Sequence, residues 1–139
     1  MRIAVSEHNQ RSAPPPVIHL DTNVLIGLLS GHPVRAQVRQ IQLEGGGFAC
    51  SAVVWTEFLN GPADAPSVRL VESFLNGRIL PFEREDAALA ARLFNATGRK
   101  RGLRFDCMVA ASALRRGDSL LTLNREDFEP FAKIGLTLA

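Results

Sequence analysis

The sequence lacks tyrosine altogether and has one tryptophan, two cysteines and no Cys-X-X-Cys pair. Cys50 and Cys107 stand alone, without a cluster of cysteine or histidine around them, so a zinc site is not indicated and a disulfide is possible but not implied. We expect both to be buried thiols in a reducing cytosol. The 139 residues, of which 46% are hydrophobic, fit one domain whose core needs no disulfide.

Long uninterrupted apolar runs are also absent. The most apolar stretch, 17–34, is broken by polar side chains at His19, Asp21, Thr22, Asn23 and Ser30. We therefore expect no membrane span, and because 1–16 has no apolar segment typical of a signal peptide, we expect a cytoplasmic protein. The net charge of +2 and a pI of about 8.9 are compatible with a nucleic-acid partner, but too weak to indicate one alone.

Charge is scarce in three apolar stretches, and each of them holds a single carboxylate. Asp21 is the only acid of 17–34, Glu57 the only charged residue of 48–63, and Asp106 the only charged residue of 105–114. A buried carboxylate is costly unless it is paired, and none of these stretches contains Lys or Arg. The simplest joint explanation is that the three acids meet at one site and share a divalent metal ion.

A run of three prolines, 14–16, fits neither a helix interior nor the interior of a sheet. We predict that 1–16 form an extended tail, in which 2–5 could be ordered, and that 17–139 form the domain. Periodicity, caps and glycines predict alternating strands and helices in that domain. The predicted strands are 17–20, 48–50, 78–82, 119–122 and 135–138, and the predicted helices are 22–29, 33–43, 51–59, 66–76, 83–97 and 105–116.

This alternation predicts an α/β domain of three layers, in which helices cover both faces of a central, mostly parallel sheet of about five strands. In such sheets ligands collect beyond the carboxyl ends of the strands. Asp21 follows the first predicted strand, Glu57 lies about two helical turns after the second, and Asn124 follows the fourth. The topology therefore brings these three residues to one edge of the sheet.

Each of these residues also has a purely structural explanation, which the residues alone leave open. Asp21 can cap the helix that follows it, and the helix dipole can favour Asp106 at the start of its helix. Glu57 can lie on a solvated helix edge, and Asn124 and Asp127 fit a capped turn. Each structural explanation is reasonable by itself, but it is much less reasonable that all of them apply at once.

Clustered carboxylates repel one another unless a cation lies between them. Mg²⁺ and Mn²⁺ prefer such oxygen ligands and keep several waters, and a pair of these ions can activate water against a phosphodiester. A phosphate-bearing substrate then needs positive charge at the rim, and four basic residues precede Asp106, namely Arg99, Lys100, Arg101 and Arg104. An ordinary solvated surface explains these four residues equally well.

Four motifs together resemble the PIN domain family, and more narrowly the toxin ribonucleases (VapC) of bacterial VapBC toxin–antitoxin pairs. They are LDTNVL at 20–25, VWTEF at 54–58, FDCMVAASA at 105–113 and LTLNREDF at 121–128, in the family's order. The resemblance covers the chain from about residue 17 to its end, whereas the segment 1–16 departs from the family.

The resemblance implies a PIN-like fold in which Asp21, Glu57 and Asp106 are catalytic and bind metal. Asn124 would take the fourth catalytic position, where the family often has aspartate. Supporting positions by the same resemblance are Thr22, Asn23, Thr122 and Asp127, with the two hydroxyls bracing the acids or the phosphate.

By the same resemblance, the chain would be a Mg²⁺-dependent endoribonuclease, with Mn²⁺ able to substitute, that leaves 5′-phosphate and 3′-hydroxyl ends. It would act as a cytoplasmic toxin, form a homodimer and be silenced by an antitoxin. The antitoxin could lay an apolar helix across Leu25, Leu28, Leu29 and the helix after Pro33, and could reach an arginine into the acids.

Two alternatives remain. A non-catalytic PIN-like module that binds RNA or protein would not need all three acids, and their presence argues against it. A phosphatase of the haloacid dehalogenase type also places Asp after its first strand, but it needs a second Asp two residues on, where this chain has Asn23. His8, His19 and His32 lie outside the motifs, and we expect them to be structural or surface residues.

Overall fold

The computed structural model describes residues 15–139. Its strands are β1 (Val17–Leu20), β2 (Gly47–Ser51), β3 (Ile79–Leu80) and β4 (Ser119–Leu121). They form one parallel sheet in the order β3-β2-β1-β4. Short, mostly apolar strands of this kind suit a parallel sheet that is buried on both faces, and β1 lies inside it between β2 and β4.

The described part contains seven α-helices, six between successive strands and one after the last strand. Side-chain caps fix the starts of several of them: Ser51 accepts from the amide of Val54 at 3.2 Å, and Asp64 from that of Ser67 at 2.9 Å. The helices are α1 Thr22–Ser30, α2 Val34–Leu43, α3 Ala52–Leu59, α4 Ala65–Phe74, α5 Arg84–Ala96, α6 Arg104–Arg115 and α7 Arg125–Ala132, with a 3₁₀ turn at Arg101–Leu103.

The helices cover both faces of the sheet, so the domain has three layers and the predicted α/β class is confirmed. α1 packs against α2 and α3, while α5 packs against α6. The largest fully buried side chains include Leu20, Phe58, Phe128 and Phe131. Burial of each such side chain contributes about 1.5–3 kcal/mol, so this shared core fixes the helices relative to the strand ends.

A buried charged cluster ties α5 to α6. Asp86 is fully buried and accepts hydrogen bonds from Arg115 and Arg116. Arg116 also donates to the carbonyl oxygens of Ser112 and Pro81, both at 2.9 Å. Because the buried carboxylate is paired at several points, the cluster anchors the end of α6, the helix that carries Asp106.

Within residues 15–139 the sheet has four strands, one fewer than the five predicted from the sequence. Residues 135–138, predicted as the fifth strand, form only an isolated bridge between Leu138 and Leu120. The Leu120 amide donates to Thr137 at 2.9 Å, and the Ala139 amide donates to Leu120 at 2.8 Å. Gly135 has a φ of +123°, a left-handed conformation that turns the backbone out of a strand.

The helix α7 was not predicted from the sequence. Pro130 lies inside this helix, and proline normally breaks a helix interior because it removes a hydrogen bond and crowds the preceding turn. Here Phe128 and Phe131 are both fully buried on the core side. Their burial outweighs the local cost of the proline, a tertiary effect that local sequence patterns do not contain.

The predicted tail lies almost wholly outside the described residues. Both its extended form and the ordered piece at 2–5 therefore stay predictions, as does the division at residue 17. At the boundary, the Pro16 carbonyl accepts a hydrogen bond from the Gly47 amide at 2.9 Å.

Cys50 and Cys107 are buried free thiols, as predicted. Burial raises the pKa of the Cys50 thiol to about 12, so it stays protonated and behaves as a small apolar side chain. Across residues 15–139, no helix combines the length and the apolar character that crossing a membrane requires.

Candidate active site

Asp21 lies where β1 gives way to α1, and it is only 5% exposed. Its Oδ1 accepts a hydrogen bond from the Thr22 amide at 2.9 Å, and its Oδ2 accepts one from the Thr122 hydroxyl at 2.7 Å. The Asp21 amide donates to the Leu121 carbonyl at 3.0 Å, which joins the ends of β1 and β4. Asp21 is thus a helix cap, as its structural explanation requires, but it is also held from the neighbouring strand.

The loop after β4 is fixed by two side-chain hydrogen bonds. The Thr122 hydroxyl accepts from the Asn124 amide at 3.0 Å, and the Asn23 side-chain oxygen accepts from the Leu123 amide at 3.1 Å. Thr122 and Asn23 therefore brace the segment that delivers Asn124 to the edge of the sheet. The use of Asn23 as a backbone acceptor also gives it a structural role that differs from the acid a dehalogenase-type phosphatase needs at this position.

A pocket of about 410 Å³ opens at this edge, and we call it the carboxylate pocket. It brings together Asp21 from the end of β1, Glu57 from α3, Asp106 from the first turn of α6 and Asn124 from the loop after β4. Its lining consists of Asp21, Thr22, Asn23, Ile26, Glu57, Gly61, Phe105, Asp106 and Asn124. Residues from all four sequence motifs thus meet at one place.

The three acids differ in burial. Asp21 is buried, Asp106 is half-buried, and Glu57 is exposed on the open side of the pocket. The expectation that a lone acid in an apolar stretch is buried is therefore correct for Asp21 and partly correct for Asp106. It does not hold for Glu57, because α3 turns Val54 and Phe58 into the core and leaves Glu57 on its other face.

Two carboxylates of this pocket, Asp106 and Asp21, have pKa values above the ordinary range. Burial raises the pKa of the Asp106 carboxyl to about 7, and the negative charges of Asp21, Asp127 and Glu57 add to that shift. Burial also raises the pKa of Asp21, although the hydrogen bonds to its carboxylate oppose the shift. Asp127 is exposed and lies outside the pocket lining, yet its charge reaches both acids.

The donor atoms of the pocket fit a hydrated divalent cation. Within residues 15–139, no three Asp, Glu, His or Cys side chains form a ready-made metal cluster. Mg²⁺ and Mn²⁺ do not require one, because Mg²⁺ commonly takes one or two carboxylates and keeps several waters. The Thr22 hydroxyl is buried without a hydrogen-bond partner in the described part of the chain. A bound cation would neutralise the acids, and its waters could satisfy this hydroxyl.

The four predicted RNA-binding residues lie apart from the carboxylate pocket, whose lining contains none of them. Arg99 and Arg104 place their guanidinium groups over the Phe94 ring, at 5.2 and 5.5 Å from its centroid. Lys100 and Arg101 lie between these two arginines in the chain and are exposed. The four residues therefore form a basic surface beside α5 and the start of α6.

Two apolar residues of the pocket, Ile26 and Phe105, were not predicted as site residues. Ile26 is 44% exposed and lies one helical turn after Thr22, on the same face of α1. Phe105 directly precedes Asp106. The helical spacing from Thr22 could have indicated Ile26, but apolar residues next to a polar motif look like core residues in a sequence.

The family of the chain follows from a match to a family model. Residues 18–134 match the model of the PIN domain, so the chain belongs to the PIN domain family. PIN domains are generally nucleases, and PIN nucleases generally use divalent metal ions. Among curated proteins no match to the chain was found.

Similar solved structures are toxin–antitoxin complexes. A toxin–antitoxin complex from Klebsiella pneumoniae is 25% identical, with a TM-score of 0.64 and coverage of 81% of this chain and 90% of that chain. FitAcB from Neisseria gonorrhoeae is 24% identical, with a TM-score of 0.64 and coverage of 88% and 96%. DNA-bound VapBC from Salmonella typhimurium is 22% identical, with a TM-score of 0.66 and coverage of 89% and 97%. The last two likenesses concern the fold alone.

Proposed function

We propose that the chain is a divalent-metal-dependent endoribonuclease and the toxin of a toxin–antitoxin pair. The observation that carries the proposal is the meeting of Asp21, Glu57 and Asp106 in one pocket, where burial and, after it, the neighbouring negative charges raise the pKa of Asp106 to about 7. A cluster of acids that resists ionisation in this way is a ready site for a cation. Membership of the PIN domain family supports the nuclease activity, and the names of the similar complexes support the toxin role.

Asp21 and Asp106 would hold the metal ion, and Glu57 would join them directly or through water. When bound, the metal supplies positive charge that activates water and offsets the charge developing on the phosphodiester. Glu57 is the most exposed of the three acids, so it can orient a water that enters from solvent. In-line attack of that water on phosphorus breaks the bond to the 3′ oxygen and leaves 5′-phosphate and 3′-hydroxyl ends.

The residues around the acids would have supporting roles. Asn124 offers an uncharged carboxamide to the pocket. Thr122 and Asn23 hold the backbone of its loop, since they accept from the amides of Asn124 and Leu123. The basic surface of Arg99, Lys100, Arg101 and Arg104 would attract the RNA backbone, a contribution that carries no sequence preference and weakens with salt.

An apolar groove of about 380 Å³ would receive the antitoxin. It lies between α1, α2 and α4, and its lining includes Leu28, Leu29 and Phe74, with Arg35 and Arg39 also present. An amphipathic helix with an apolar face and an acidic flank suits such a groove. The prediction that Leu25 belongs to this surface is wrong, because Leu25 is fully buried. A homodimer and a cytoplasmic location belong to the same proposal.

The proposal is tested with purified wild type and Asp21→Asn. We expect the wild type to cut RNA with Mg²⁺ or Mn²⁺ and to stop when EDTA is added. Asp21→Asn should cut RNA more than ~100-fold more slowly than the wild type. Even substitutions of residues that only support the direct ligands lower metal affinity or activity by about 10–100-fold. The products should carry 5′-phosphates, which are detected by ligation of the RNA products to an adaptor. Expressed in bacteria without a partner, the wild type should arrest growth and Asp21→Asn should not.

Each failed outcome has a distinct meaning. RNA cleavage that survives both EDTA and Asp21→Asn contradicts the metal site. A chain that folds and binds RNA but never cuts it supports the alternative of a non-catalytic module. Unimpaired growth on expression of active enzyme contradicts the toxin role while leaving the nuclease intact.

A further inference from the structure

A second cavity, of about 430 Å³, adjoins the carboxylate pocket. The two cavities share Glu57 and Phe105, so both lie along the same surface of α3 and the start of α6. The rest of the second lining is Val53, Thr56, Asn60 and Met108. Whatever fills this cavity therefore lies directly beside Glu57, one of the three acids.

The lining of this second cavity combines apolar walls with a polar edge. Phe105 presents an aromatic ring that is half-buried, and Met108 adds an adaptable apolar side chain. Asn60 is exposed at the C-terminal end of α3, and its carboxamide can both donate and accept hydrogen bonds. The Thr56 hydroxyl donates to the Ala52 carbonyl at 2.9 Å and keeps its capacity to accept.

We propose that this cavity is a base subsite, which holds one unpaired nucleobase next to the cleaved phosphate of the RNA. The base stacks on Phe105, and its polar edge meets Asn60. The inference rests on the proposed ribonuclease function and adds a specificity determinant to it. Recognition of single-stranded RNA relies on this combination of aromatic stacking with hydrogen bonds to the edges of the bases.

The position of the ring favours a nucleobase over a partner protein as the occupant. Phe105 forms a wall of both cavities, so a phosphate at the acids and the base next to it would both contact this one residue. The groove assigned to the antitoxin shares no lining residue with the base subsite. One aromatic ring in the cavity also matches one base rather than a stack of several.

The base subsite is tested with short single-stranded RNAs that carry one abasic ribonucleotide, moved step by step past the cleaved bond. For the wild type we expect kcat/KM to fall about tenfold or more at one flanking position, the effect of losing one base–aromatic stack. Phe105→Leu keeps the apolar volume without the ring. It should cut intact RNA about tenfold more slowly and lose most of the abasic penalty.

Three further variants make the test specific. Phe82→Leu changes another half-buried phenylalanine, which lines neither cavity, and should keep the wild-type abasic penalty. Phe105→Tyr retains an aromatic ring and should retain the penalty as well. Asn60→Ala should change which base is preferred at that position. Asn60 has ordinary helical backbone angles, φ −78° and ψ −9°, that alanine adopts without strain.

Equal cleavage of intact and abasic RNA at every position, or a full abasic penalty in Phe105→Leu, would overturn the base subsite while leaving the ribonuclease in place. Loss of antitoxin binding in Phe105→Leu with an unchanged abasic pattern would assign the cavity to the partner instead. Failure of the proposed function looks different, because the wild type would then cut no RNA at all. Thermal stabilisation of Phe105→Leu by Mn²⁺ should match that of the wild type, which shows that the neighbouring Asp106 is undisturbed.

Discussion

At the scale of single residues, the carboxylate pocket holds acids whose ionised forms are destabilised by burial and by neighbouring negative charge. Asp106 is half-buried and has the charges of Asp21, Asp127 and Glu57 around it, which is why its pKa rises to about 7. In most folded proteins a carboxylate gains stability from its partners, and its pKa falls. Here the ionised form is the disfavoured one, which is the behaviour that the proposed cation site requires of its acids.

The raised pKa of Asp106 predicts how the folding stability of the metal-free protein depends on pH. The folded-state pKa of Asp106 lies above its ordinary value of 3.8, so between about pH 4 and pH 7 the unfolded chain releases a proton that the folded chain keeps. Stability should therefore fall as pH rises through that window and level off above it. Asp106→Asn removes this loss. Allowing for solvent screening at a half-exposed group, we expect the free energy of unfolding of the variant to exceed that of the wild type by about 1 kcal/mol at pH 8. This difference corresponds to a rise of roughly 2–8 °C in melting temperature.

Thermal melts of wild type and Asp106→Asn in EDTA, recorded from pH 4 to pH 8, provide the measurement. The difference between the two proteins should be small at pH 4 and grow towards pH 7. A variant that is less stable than wild type at pH 8, or a difference that does not change with pH, would show that Asp106 is not destabilised by its neighbours.

At the scale of elements, the site depends on how strand ends meet helix starts. The Thr122 hydroxyl donates to Asp21 at 2.7 Å and accepts from the Asn124 amide at 3.0 Å, so one small side chain links β1, β4 and the start of α7. Such outer partners orient the residues that bind a metal. The geometry of the pocket is thus a property of three elements rather than of the acids alone.

Thr122→Val tests this link, because valine keeps the shape of threonine without its hydroxyl. We expect Mn²⁺ affinity or RNA cleavage to fall by about 10–100-fold, and the free energy of unfolding to fall by about 1–3 kcal/mol, since Asp21 and the Asn124 amide lose a partner. Thr97→Val is the control, because the Thr97 hydroxyl donates to the Leu93 carbonyl at 2.7 Å and Thr97 lies outside the pocket lining. Equal effects of the two changes on metal affinity would argue against the bracing role.

The elements that sequence patterns predicted are those with strong local signals. The start of α1 at Asp21 and its end at Gly31, which has a φ of 78°, follow from capping chemistry. The helix α7 was missed because Pro130 contradicts it locally, and 135–138 was overestimated as a strand because a short apolar run does not reveal whether a partner strand is in register.

The site was predictable to a similar degree. The meeting of the acids at one edge could be predicted because the carboxyl ends of parallel strands determine it. The exposure of Glu57 could not, since it depends on which face of α3 packs on the core. The same holds for Phe105, whose place between two cavities exists only in the folded chain. The catalytic and metal-binding roles of all these residues stay predictions until they are measured.

At the scale of the whole molecule, the surfaces to which we assign functions lie on different parts of one small domain. The carboxylate pocket lies at the carboxyl edge of the sheet, the apolar groove lies between α1, α2 and α4, and the basic surface lies beside α5. Ile26 and Leu29, which line a smaller cavity together, lie between the groove and the pocket on α1. A partner seated in the groove could therefore extend along α1 to the acids.

The central claim is that Asp21 and Asp106 form a divalent metal site, and a Mn²⁺ titration of the thermal unfolding transition tests it most directly. A ligand that binds only the folded state adds about 2.7 kcal/mol at a concentration 100 times its Kd. The wild type should therefore melt several degrees higher in saturating Mn²⁺, while Asp21→Asn and Asp106→Asn should gain little. Glu72→Gln, which removes an exposed acid of α4 outside the pocket, should respond like the wild type. The metal site would be contradicted if Mn²⁺ did not raise the melting temperature of the wild type, or if it raised that of Asp21→Asn and Asp106→Asn by as much.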